Sequence, residues 1–101
     1  MHIIRNASAD ITTPWYDASQ LPGGPGEHTL SCNGTSFGGG TAKLQFGKEG
    51  IDGTVIALTD DPDMAFTASA KSVIVTVSPN MKFRGVLSGS TSPSGVNLWL
   101  S

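Results

Sequence analysis

The chain has little of most things that support chemistry. Its 101 residues include one cysteine, Cys32, so no disulfide can form within it. Two histidines, His2 and His28, are the only side chains that ordinarily titrate near neutrality, which leaves few candidates for a general base. Charged residues make up 14%, against about 25% in an ordinary soluble domain. The net charge is -2, and the six cations (Arg5, Lys43, Lys48, Lys71, Lys82, Arg84) are scattered. Nucleic acid needs a dense basic patch, so it is excluded as a partner. No apolar run is long enough for a signal peptide or a membrane-spanning helix. The chain is therefore expected to fold in a reducing cytosol without a membrane anchor, and its sequons at Asn6 and Asn33 are expected to be chance matches.

Large side chains are scarce too. Apolar residues amount to 38%, and it takes the 13 glycines to bring that figure near the usual ~45–50%. A sheet protein with a thin core fits this balance, as does a subunit that completes its burial against neighbours. The length supports one domain, residues 1–101.

What the chain does have is punctuation. Turn chemistry recurs every eight to twelve residues or so, at 21–26 (LPGGPG), 33–34, 38–40, 49–53, 60–63, 78–80 and 88–95. The runs between alternate. Leu30 and Cys32 oppose Glu27, Thr29 and Ser31; Ala42, Leu44 and Phe46 oppose Thr41, Lys43 and Gln45; Met64, Phe66 and Ala68 repeat the pattern. A period of two marks a strand with one wet face. Residues 72–77 (SVIVTV) are almost continuously apolar and β-branched, which predicts a strand in the middle of a sheet. Val96, Leu98 and Leu100 share one face of a final strand and leave Trp99 on the other. Residues 1–10 read as an edge strand or an N-terminal arm. No window shows helical spacing free of Gly or Pro. The prediction is an all-β chain: an antiparallel β-sandwich or jelly roll of about eight short strands.

Candidate chemistry is weak on inspection. His28 and Cys32 lie four residues apart on one strand face, about 13 Å at ~3.3 Å per residue, too far to form a nucleophile–base pair. His28 reads as an inward or edge side chain held by a local hydrogen bond, and Cys32 as a small hydrophobe. The acidic run 60–63 (DDPD) lacks the further oxygen ligands that calcium wants and reads as a solvated turn. Residues 35–41 (TSFGGGT) have neither the GxxxxGK[ST] pattern nor a following helix to cradle phosphate. No cofactor, metal or catalytic residue is expected. Trp15, Tyr16 and Trp99 remain as contact candidates. Aromatics on a sandwich surface stack on sugars or anchor protein interfaces, although core or rim positions use them equally well.

Residues 35–46 (TSFGGGTAKLQF) and 83–100 (FRGVLSGSTSPSGVNLWL) resemble a group of small virion proteins of tailed bacteriophages, some of them capsid decoration (cement) proteins. The stretch 48–54 (KEGIDGT) lacks the Trp found at the corresponding hairpin of that group. The resemblance implies a structural protein located on the virion. It would bind the major capsid protein from outside and stabilise the shell, and a homo-oligomer, a trimer, is expected. Contact surfaces are expected at the N-terminal arm with Ile3 and Ile4, at Trp15 and Tyr16, and along Val96, Leu98, Trp99 and Leu100. The alternative reading is a carbohydrate- or receptor-binding module of a phage tail, using Trp15, Tyr16 or Trp99.

Overall fold

Period-two alternation demands two half-buried sheets, and these are found. The computed structural model describes residues 1–58, 61–67 and 71–101. Sheet A has the order β1 (His2–Ala7), β10 (Val96–Leu100), β4 (Gly26–Asn33), β8 (Lys71–Val77). Sheet B is built on the pair β5 (Thr41–Glu49) and β9 (Met81–Ser88). On its far side β9 carries two short strands, β2 (Ile11–Thr12) and β3 (Tyr16–Asp17). β5 likewise carries β7 (Ala65–Phe66) and β6 (Val55–Ala57) on its own far side. All these pairings are antiparallel. The chain is an all-β sandwich, as its alternation and turn spacing predict.

The core is the layer where the two inner faces meet. Ile4, Leu30, Cys32, Val96, Leu98 and Leu100 come from sheet A, and Ala42, Leu44, Phe66, Phe83 and Leu87 from sheet B; none is more than 1% exposed. The β5–β9 ladder runs through eight consecutive pairs and sets Phe46 opposite Phe83 and Ala42 opposite Leu87. Gly85 also faces inward on β9. A Cβ there would lie 2.7 Å from Ile3 Cγ2 and 2.8 Å from Ile4 Cγ1, so β1 packs directly onto bare backbone. Thr13 locks the same spot. Its N–H donates to Gly85 O (2.9 Å), and the Gly85 N–H donates to Thr13 Oγ1 (2.9 Å).

Ile3 and Ile4 are adjacent yet both buried, which a regular strand forbids. The β1–β10 register explains it. His2 pairs with Trp99 and Ile4 with Leu98, so one extra residue enters β1 there, and another enters before Ala7 pairs with Val96. The bulges turn both isoleucines inward. β1 is an edge strand, not an arm.

Three other expectations need correction. Residues 72–77 do not form a central strand: β8 is the edge of sheet A, and its outward Ile74 stays 69% exposed. A β-branched apolar run reports fit to a pleated surface, not the number of neighbouring strands. Met64 belongs to a 3-10 turn, Pro62–Met64, and only Ala65–Phe66 is strand; Ala68 and Asp60 lie outside the described residues. Val96 to Leu100 is no apolar edge, because β10 lies between β1 and β4.

Candidate functional site

The expected contact residues separate into two groups. Ile3, Ile4, Val96, Leu98 and Leu100 are buried within the chain, so they cannot form a contact surface without unfolding it. In sequence, an apolar stripe looks alike whether a partner or the chain's own second sheet covers it. Tyr16 packs at the core margin, its ring 5.7 Å from that of Phe83. Trp15 lies over Gly47, where a Cβ would come within 2.8 Å of its ring, and the Arg84 guanidinium sits 4.2 Å from its ring centroid. Arg84 Nε–H also donates to Gln45 Oε1 (2.7 Å), so this trio covers the outer face of sheet B. Trp99 is half-buried on the outer face of sheet A, 6.0 Å from the His2 ring. The structure does not bring the three aromatics into one site.

The titratable groups serve the fold. His28 is buried and its Nε2–H donates to Gly24 O (2.7 Å), tying β4 to the preceding loop. Burial pushes the Cys32 thiol up to about 11, away from the thiolate a nucleophile requires. Asp10 is held below the usual carboxylate range by the Ser90 hydroxyl and backbone N–H, and Asp52 by Thr54. Lys82 is raised by its ion pair with Asp17. Among the described residues no three His, Cys, Asp or Glu side chains gather as metal ligands would.

What the sequence did not disclose is an open strand edge. Thr29 and Ser101 exchange both backbone hydrogen bonds (3.0 Å each), so Thr29 points its polar backbone groups at the β10 side. Antiparallel pairing alternates, hence His28, Leu30 and Cys32 point theirs at β8, opposite Val75, Val73 and Lys71. Ser72, Ile74 and Thr76 therefore turn their N–H and C=O groups outward, where no described strand pairs with them. Natural edges are blunted by brevity, bulges, proline or charge. β1 has two bulges and Arg5, and the edge strands of sheet B have two or three residues each. β8 has seven residues, an unbroken register, no proline, and no charged residue between Ser72 and Val77.

A cleft of about 370 Å³ runs beside this edge, with Phe46, Leu58, Met64, Val73 and Val75 among its walls. A second hollow of about 200 Å³ continues past Leu58 toward the turn at Pro79 and Asn80. Ile56, Leu58 and Ile74 are exposed around this side of the sandwich (61%, 40% and 69%). Asp61 and Asp63 line the cleft; both are exposed, and the Asp61 carboxylate accepts the Asp63 N–H (2.9 Å). The arrangement can bind an extended backbone and apolar side chains. Among the described residues it presents no convergent acid, base and nucleophile.

No protein-family model, no curated protein and no solved structure matches this chain.

Proposed function

We propose that the protein is a non-catalytic binding domain that attaches to a larger protein assembly, and that this assembly is the shell of a tailed bacteriophage. One observation carries the first part: the seven-residue β8 edge is long, free of bulges and uncharged from Ser72 to Val77, beside an apolar cleft. Sequences normally guard such an edge, because it recruits other strands. The second part rests on the resemblance of residues 35–46 and 83–100 to phage decoration proteins. These two blocks adjoin in space. β5 pairs with β9, and the loop at Gly38 accepts the Thr91 N–H (2.9 Å). In this reading the domain, as a homotrimer, binds the major capsid protein from outside and bridges neighbouring capsomers. Interfaces of ordinary size (~1,600 Å² in total) repeated over many sites give avidity.

Mixing the purified protein with expanded capsids and pelleting them tests the assignment. Saturable co-sedimentation at micromolar concentration is expected; protein that stays in the supernatant contradicts it. A second reading has one observation in its favour. Trp99, half-buried on the outer face of sheet A beside His2, offers a ring for sugar stacking in a tail module. Quenching of tryptophan fluorescence by a glycan, lost in Trp99→Ala, supports that reading; a flat titration across a glycan panel removes it.

A further inference from the structure

We propose that the β8 edge is a β-augmentation site for an extended, cationic segment of a partner protein. The inference rests on the reading of this chain as a protein-binding domain and adds how the partner is held. Strand addition draws affinity from main-chain hydrogen bonds and specificity from alternate side chains. Both halves are present. The backbone groups of Ser72, Ile74 and Thr76 supply the open ladder, and the cleft behind them receives every second side chain of the added strand.

Charge decides the kind of segment. Among the described residues lining the cleft, Asp61 and Asp63 are the charged side chains, and no lysine or arginine is found there. Among the described residues, neither carboxylate has an ion-pair partner. A second copy of this chain, added antiparallel through Ile74, would carry its own Asp61 and Asp63 toward the same edge. Like charges brought together are unfavourable. A strand with apolar residues and Lys or Arg on its cleft-facing side satisfies both the walls and the acids.

The geometry also says which partner residues bond to β8. Ser72, Ile74 and Thr76 carry their side chains on the outer face, two of them plainly exposed beside Ile74. Partner residues hydrogen-bonded to them have side chains on that face as well, while the cleft-facing residues turn their own N–H groups away.

The probe is the peptide Ac-KTVTVTK-amide, whose lysines and valines share one face. It is titrated into the full chain by calorimetry and by amide hydrogen exchange. Saturable binding is expected, with new protection at Ser72, Ile74 and Thr76. N-methylation of the three threonines removes the donors that face β8 and should abolish binding, whereas N-methylation of the two valines should leave it. The acidic analogue Ac-ETVTVTE-amide should bind roughly tenfold more weakly, and Asp61→Asn with Asp63→Asn should erase that preference. Ile74→Pro removes an edge-facing N–H without removing a ladder bond, so the fold survives and binding is lost. Insensitivity to threonine methylation, or equal binding of the acidic peptide, overturns the proposal. So does concentration-dependent protection of the same amides without peptide, which would assign the edge to a second copy. Capsid pelleting separates this inference from the reading beneath it. Capsid binding unaffected by Ile74→Pro rejects the edge and keeps the domain's role; peptide binding without capsid binding does the reverse.

Discussion

Replacing Gly85 by alanine adds one methyl group where β1 of sheet A packs onto β9 of sheet B. The new Cβ would lie 2.7 Å from Ile3 Cγ2, 2.8 Å from Ile4 Cγ1 and 3.1 Å from Ile4 Cδ1. Ordinary contacts between such atoms are about 3.5–4.0 Å, so the neighbours must retreat by roughly an ångström. They have little freedom to do so. Ile3 and Ile4 are 5% and 1% exposed, their β-branched side chains are stiff at χ1, and β1 is bound along β10. Overpacking of this kind costs about 1–3 kcal/mol. Loss of glycine's unfolded-state freedom offsets about 0.5–1 kcal/mol of it. The net destabilisation expected is about 1–2 kcal/mol, a fall in Tm of several degrees at about 4–8 °C per kcal/mol for a domain of this size. Gly85→Val should cost more. Urea unfolding with a shared m-value reads the difference directly. A Gly85→Ala protein as stable as the parent would show that β1 does not press on Gly85, and the packing described for that end of the sandwich would be wrong.

Three further outcomes follow from the same contacts. Thr13→Val keeps the shape but leaves the buried Gly85 N–H without its acceptor, which should cost about 1–3 kcal/mol, with Thr13→Ser milder; equal stability of Thr13→Val contradicts the bond. A double-mutant cycle over Trp15→Ala and Arg84→Ala should return a coupling of about 0.5–1 kcal/mol, and a coupling of zero removes the cation–π contact from the account. Cys32 gives a pH dependence. Burial raises its thiol from 9.0 to about 11, so the folded state holds the proton more tightly than the unfolded one. The resulting stability is complete below pH 9 and is lost as pH rises toward 11, amounting to about 1 kcal/mol by pH 10. Cys32→Ala, compared with the parent from pH 7 to 10 in urea melts, should lack that slope; parallel curves would contradict it.

The parts of the fold that were legible are those with one wet face. Leu30 and Cys32, Ala42 and Leu44, and Val96, Leu98 and Leu100 declare their inward side by spacing, because neighbouring side chains of a strand point to opposite faces. Two features escaped for definite reasons. Ile3 and Ile4 break the period of two, since a bulge turns both inward, and a bulge depends on the register with β10. The position of β8 at a sheet edge depends on strand order, which no local pattern encodes; the run SVIVTV suits an edge and a centre alike. The candidate site was less legible still. Its walls come from Phe46, Leu58, Met64 and Val73, which are distant in sequence, and its acids Asp61 and Asp63 look like an ordinary turn until β8 is set beside them. Trp15 drew attention as a possible contact residue, yet its place is set by Gly47 and Arg84, partners only folding brings near.

A protein that attaches to a shell must appear on it. Electron cryomicroscopy of expanded capsids incubated with the purified protein, with icosahedral averaging against untreated capsids, tests this most directly. Added density is expected at symmetry-related positions on the outer surface, large enough to hold the two-sheet sandwich, with the β8 edge turned toward the capsid protein. Shells indistinguishable from the untreated ones at saturating protein would contradict it.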